Sequence, residues 1–150
     1  MNLNDKIKND LKEALKGGDK LRLKTIRSIR ALILEFEKSG TDKEFNEEEE
    51  IKLLSSAAKK RRESIEEYRK AGREDLASIE EAELKVIINY LPKQLTEEEI
   101  ESEVKTIAGE IGAAGKTDFP KLMQASIKKL KGQAEGKAIK ADVEKALYES

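Results

Sequence analysis

The sequence contains no cysteine and no histidine. Without thiols there can be no disulfide, no thiolate nucleophile and no Cys-based zinc site, and a cytosolic (cytoplasmic) compartment is the natural expectation. Without imidazole the chain lacks the commonest general base and the commonest transition-metal ligand. Neither a Ser-His-Asp triad nor a Cys-His pair can be assembled. Aromatic residues make up 4% of the chain, too few for a platform on which single-stranded bases would stack. No apolar run approaches the ~20 residues that span a bilayer. The opening Met-Asn-Leu-Asn-Asp-Lys has no basic stretch followed by an apolar one. Neither a membrane span nor a secretory signal is therefore expected.

What the sequence does have is charge, arranged with helical spacing. Charged residues reach 41%, against a usual ~25%, and the hydrophobic fraction of 37% falls below the usual ~45–50%. Low hydrophobicity favours disorder when net charge is large, but here the net charge is only -1. Balanced, interleaved charges belong to solvated helix faces. Glu and Lys dominate, a trend also found in heat-stable proteins.

Apolar residues recur at three- and four-residue intervals almost throughout. Leu3, Ile7, Leu11, Ala14 and Leu15 mark a first helix, stopped by Gly17 and Gly18. Asp19 is placed to cap a second helix, striped by Ile26, Ile29, Ile33 and Phe36 and ended at Ser39-Gly40-Thr41. A loop to Asn46 precedes a third helix that opens with Glu47 to Glu50, acids suited to the positive end of the macrodipole. Its stripe is Ile51, Leu54, Ala58, then a gap, then Ile65 and Tyr68, and Ala71-Gly72 ends it. A fourth helix runs from about Glu74 with Leu76, Ile79, Leu84, Ile87 and Ile88, and stops before Pro92. Thr96 and Glu99 have the spacing of a capping box, with Leu95 and Ile100 as its hydrophobic staple. Ile100, Val104, Ile107 and Ile111 follow, then the turn Gly112 to Gly115. Phe119, Leu122, Met123, Ile127 and Leu130 mark a sixth helix, and Ile139, Val143, Ala146 and Leu147 a seventh. No segment alternates as a half-buried strand would. The expected architecture is all-α: a four-helix N-terminal domain over residues 1–91 and a three-helix C-terminal domain over residues 96–150.

Phosphate chemistry of the Walker type is not supported. The stretch Gly132 to Gly136 has neither a preceding strand nor a Lys-Ser/Thr ending. The carboxylates Glu97 to Glu99 and Glu47 to Glu50 sit where capping and the macrodipole account for them, so neither acid–base chemistry nor metal binding is expected there. Basic groups are more informative. Lys59-Lys60-Arg61-Arg62 is the densest cluster, with Lys59 and Arg62 pointing outward and Arg61 in the gap of the apolar stripe, paired with Asp75 or Glu80. Lys20, Lys24 and Arg27 share a second face beside Arg30, where intrahelical pairing with nearby Glu is the simpler reading. Residues 116–140 form the third cluster, rich in lysine and poor in acids: Lys121, Lys128, Lys129, Lys131, Lys137 and Lys140. A locally basic surface there could hold phosphates of a folded RNA.

Five stretches together resemble one family: Asp19 to Arg22 with Ile26-Arg27; Lys59 to Arg62 with Ser64, Tyr68, Arg73, Asp75 and Leu76; Tyr90-Leu91-Pro92-Lys93-Gln94-Leu95; Asp118 to Met123; and Lys131 to Lys137. Their order and spacing are similar to the YqeY proteins, which carry the GatB/YqeY domain, over essentially the whole chain. Pro120 stands where that family commonly has glycine, and Glu135 where it commonly has aspartate. The resemblance implies kinship with the tail of the B subunit of glutamine-dependent tRNA amidotransferases, which helps engage tRNA. It also brings the family's label of carbon–nitrogen ligase activity with glutamine as amido donor. No residue set here can hydrolyse glutamine or activate a carboxyl with ATP, so no catalytic residue, metal or cofactor is expected. The leading expectation is an accessory module that binds tRNA, or docks on a tRNA-handling enzyme. Lys128, Lys129, Lys131 and Lys137 would contact phosphates, Gly132 and Gly136 would permit close backbone approach, and Lys59 and Arg62 would add further contacts. The alternative is a protein-interaction module without RNA contact, which predicts an exposed apolar patch.

Overall fold

The computed structural model describes residues 2–148. Among them it contains seven α-helices and no strand: α1 (Leu3–Gly17), α2 (Lys20–Lys38), α3 (Glu47–Lys70), α4 (Glu74–Ile88), α5 (Glu97–Ile111), α6 (Phe119–Lys129) and α7 (Gly136–Tyr148). A short 3-10 turn, Lys116–Asp118, leads into α6. The all-α expectation holds. Residue 1 and residues 149 and 150, the outer limits of the two domain ranges expected from the sequence, lie outside the described residues.

Helix ends follow local chemistry. Asn2, Asp19 and Asn46 each accept a hydrogen bond from the backbone N–H three residues on, satisfying a donor that the helix itself leaves unpaired. Gly18 and Gly112 close α1 and α5 in the left-handed conformation at φ 69° and φ 67°. At Thr96 the capping box is complete. The Thr96 hydroxyl accepts from the Glu99 N–H at 3.2 Å, and the Glu99 carboxylate accepts from the Thr96 N–H at 3.1 Å. Pro120 lies in the first turn of α6, where its missing N–H costs nothing.

The contacts divide the chain into two compact units, Met1–Pro92 and Lys93–Ser150. In the first, Ile7 of α1, Ile26, Ile29 and Ile33 of α2, Leu54 of α3 and Ile87 of α4 form the core. The α3–α4 hairpin is laced by charge: Arg61 reaches Glu83 at 3.3 Å and Glu80 at 3.5 Å, and Arg69 reaches Glu81 at 2.8 Å. Glu80 is thus one partner expected for Arg61. Asp75 is not; it pairs with Arg73 at 3.0 Å. In the second unit, Ile100, Val104 and Ile107 of α5 pack with Leu122, Leu130, Ile139, Val143 and Leu147. Leu95 packs against the same cluster as Ile100, as a staple requires.

Three apolar residues expected on buried stripes face solvent instead: Leu15 at 55%, Ile79 at 48% and Ile127 at 44% exposure. The helical repeat of about 100° per residue explains them. Leu15 stands one step past buried Ala14. Ile79 is nearly opposite buried Ala77. Ile127 stands one step past Ser126, which is fully buried in its place.

Candidate nucleic-acid interface

The lysine-rich segment of the second unit lies between the end of α6 and the start of α7. Its turn is tied down from the stretch that precedes α5. The Gln94 side-chain amide donates to the Gly132 carbonyl at 2.6 Å, and the Leu95 N–H donates to the Gln133 carbonyl at 2.8 Å. Gly132 takes φ 76°, a left-handed value that a side chain would strain. Gln94 and Leu95, the end of the Tyr-Leu-Pro-Lys-Gln-Leu stretch, are therefore bonded to the Lys-Gly-Gln-Ala turn and help close the second unit, while Tyr90 and Leu91 pack against the core of the first.

The expected contact lysines fare differently on this scaffold. Lys128 at the end of α6 and Lys137 in the first turn of α7 are exposed. Lys140, one turn on, is exposed as well. Lys129 is held by two α5 carboxylates, Glu103 at 3.7 Å and Glu110 at 4.0 Å. Lys131 is half-buried and already engaged. Lys121 extends to the Ile111 carbonyl at 3.4 Å. Gly136 is exposed and opens α7, whose first turn holds no acid. Lys128, Lys137 and Lys140 make neither an ion pair nor a hydrogen bond through their side chains among the described residues, whereas Lys121 keeps its charge but is tied to a carbonyl.

Lys59 and Arg62 belong to α3 in the first unit. Lys59 is exposed, whereas Arg62 is half-buried and engaged. The outward position expected for Arg62 is thus only partly realised. The pairing expected for Lys20, Lys24, Arg27 and Arg30 is not found. All four are exposed, and none meets a carboxylate among the described residues; the α2 cation that does is Arg22, 3.8 Å from both Asp10 and Glu13. The signal was available in the sequence, since no acid stands three or four residues from any of the four.

Other polar groups serve the fold. The Glu99 carboxyl is held below its ordinary range by its bonds to Thr96, so it acts as a cap. The Tyr90 hydroxyl donates to Asp10 at 2.5 Å, and burial followed by that carboxylate pushes the phenol well above its ordinary range. A half-open groove of about 420 Å³ separates α2 from α3, floored by Leu32, Phe36, Leu53 and Ala57 and edged by Lys60 and Arg61. No cluster of metal-ligating side chains, and no helix long and apolar enough to cross a membrane, occurs among the described residues.

The chain is similar to proteins named Altered inheritance of mitochondria protein 41, mitochondrial. The Vanderwaltozyma polyspora protein is 40% identical over 85 residues, 57% of this chain and 46% of that protein. For Lachancea thermotolerans the identity is 36% over 107 residues, 70% and 57% of the two chains. For Pyrenophora tritici-repentis it is 32% over 136 residues, 88% and 61%. The chain thus spans about half the length of the curated relatives it matches. Their names overturn the cytosolic (cytoplasmic) expectation drawn from absent cysteines: these relatives are named as mitochondrial proteins, and a lack of thiols does not discriminate between reducing compartments. The match to the family described as Yqey-like protein runs over residues 4–147. The chain belongs to the YqeY-like family.

Proposed function

We propose that this chain is a helical binding module, without catalytic machinery of its own, whose second unit holds the phosphate backbone of a folded RNA. The observation that carries this reading is the set of three exposed lysines, Lys128, Lys137 and Lys140, left over after α5 acids take up Lys105, Lys129 and Lys145. Ammonium groups with no internal partner, beside an acid-free helix start, suit phosphate contacts that position an RNA without reading its bases. The low aromatic content agrees with backbone contact. Resemblance to the amidotransferase tail makes tRNA the first RNA to try. The two units, with four helices and three, are proposed to fold as separate domains, since their buried clusters share no residue.

The test is a salt series. Lys128→Gln with Lys137→Gln removes two phosphate contacts and should lower the slope of log Kd against log salt by about 1.4–1.8 for a tRNA transcript. An unchanged slope and an unchanged low-salt affinity sink the reading. A second reading, a protein-interaction module without RNA contact, draws on the apolar groove between α2 and α3. The exposed large apolar residues Leu15, Leu34, Ile79, Ile127 and Tyr148 lie singly on five different helices, which is ordinary for a surface and gives that reading no further support. Capture of one defined protein partner after nuclease treatment would favour it.

A further inference from the structure

Helix α2 buries Thr25, Ile26, Ile29 and Ile33. On the opposite side Lys20, Lys24, Arg27, Ala31, Leu34 and Lys38 recur at alternating four- and three-residue steps, so they form one straight stripe. Every one of them is exposed, as is Arg30 beside the row. At 1.5 Å of rise per residue, Lys20 to Arg30 spans about 15 Å, with neighbouring cations about 4.5–6 Å apart along the axis.

Folding does not account for this arrangement. The other helices of the first unit place acids in their first turn: Asp5 in α1, Glu47 to Glu50 in α3, Glu74 and Asp75 in α4. α2 has none beyond its capping Asp19 and begins with Lys20, a cation at the positive end of the dipole. Lys20, Lys24, Arg27 and Arg30 are also like charges at three- and four-residue spacing, which opposes helix formation. Four cations are thus held close together, exposed and without carboxylate partners, at some cost to the helix. A polyanion would relieve that repulsion.

We propose that this face of α2 is a second phosphate-binding surface, which holds the sugar–phosphate backbone of RNA through Lys20, Lys24, Arg27 and Arg30. The identity of the polyanion rests on the reading that the partner is an RNA. Docking of an acidic protein helix needs apolar anchors at i, i+3, i+4 and i+7, and an anionic membrane needs an apolar face to insert. The stripe has one large apolar residue, Leu34, beyond the cations. A phosphodiester chain needs only the row of positive charge.

The experiment combines Lys20→Gln, Lys24→Gln and Arg27→Gln in the full chain and follows binding of a fluorescein-labelled tRNA transcript across a potassium chloride series. Three lost contacts should lower the slope of log Kd against log salt by about 2–2.7 and weaken low-salt binding more than tenfold. The unfolding midpoint should not fall, because no ion pair is removed and first-turn repulsion is relieved. Lys20→Arg with Lys24→Arg keeps the charge and should bind as the parent does. Parent-like affinity and slope in the triple variant overturn the proposal. So does a parent that ignores tRNA but binds vesicles of phosphatidylcholine and phosphatidylserine. The Lys128→Gln, Lys137→Gln variant separates the two readings. Loss confined to it sinks the α2 surface and leaves the second-unit reading standing; loss confined to the α2 variant does the reverse.

Discussion

Arg61 offers the sharpest test of how the first unit is held together. Its Nε lies 3.3 Å from a Glu83 oxygen and 3.5 Å from a Glu80 oxygen. The Arg61 and Glu80 side chains are each 22% exposed and that of Glu83 only 6%, so Glu83 has almost no solvent to fall back on. The Nε is itself buried and makes no hydrogen bond of good geometry, so the pairing is coulombic. Arg61→Met keeps the length and apolar stem of the side chain but strands two carboxylates beside each other, one of them buried. Removing one partner of a buried pair costs about 3–5 kcal/mol, and the partial exposure of Arg61 and Glu80 puts this case near the low end, about 3 kcal/mol. For a unit of this size that lowers the midpoint by about 12–24 °C. Glu83→Leu alone should cost less, since Arg61 keeps Glu80. The double variant Arg61→Met, Glu83→Leu should recover at least ~1.5 kcal/mol relative to the sum of the singles, because no buried charge is left without a partner. Urea unfolding followed by circular dichroism, with all four chains in one buffer, measures the cycle. An Arg61→Met cost below about 1 kcal/mol, or a strictly additive double variant, would refute the reasoning.

Three further outcomes are expected. Gln94→Ala removes the donor to the Gly132 carbonyl and should destabilise the second unit by about 1–2 kcal/mol, read as lower protection of the Gln133 amide in hydrogen exchange. Ser126→Ala should stabilise the same unit by about 1 kcal/mol in a denaturant titration, since the buried hydroxyl has no hydrogen-bond partner and alanine is the better helix former. Burial first, and then Glu101, raise the Asp142 carboxyl above its ordinary 3.8. A raised folded value means that the stabilising contribution is present below the unfolded value and is lost as pH rises through the folded one. Asp142→Asn should therefore raise the unfolding midpoint at neutral pH, and the gain should vanish in acid below the ordinary aspartate range; a gain that persists there contradicts the assignment.

The fold was readable where its causes are local. Asp19, the Thr96–Glu99 pair and Gly18 act on groups within four residues of themselves, and each does in three dimensions what its spacing implies. The candidate site was readable only in part. Lys129 looked like its neighbour Lys128, but Glu103 and Glu110 of α5 occupy it, and nothing near Lys129 in the chain announces them. For the cations of α2 the chain itself carries the signal. Lys20, Lys24, Arg27 and Arg30 were expected to pair within their helix, yet no acid stands at the required spacing.

By itself, then, the sequence determined the helices, their caps, the lack of histidine and cysteine chemistry, and the three regions where lysine and arginine gather. These depend on residue type and on separations of a turn or less, where geometry is set by the 3.6-residue repeat. Tertiary structure alone decided that Arg61 meets Glu83 as well as Glu80, that Ser126 rather than Ile127 enters the core, and which cations keep their charge unspent. Those outcomes depend on groups many residues apart, brought together when apolar faces pack, and a side chain's partner is chosen by what the neighbouring helix presents at that height.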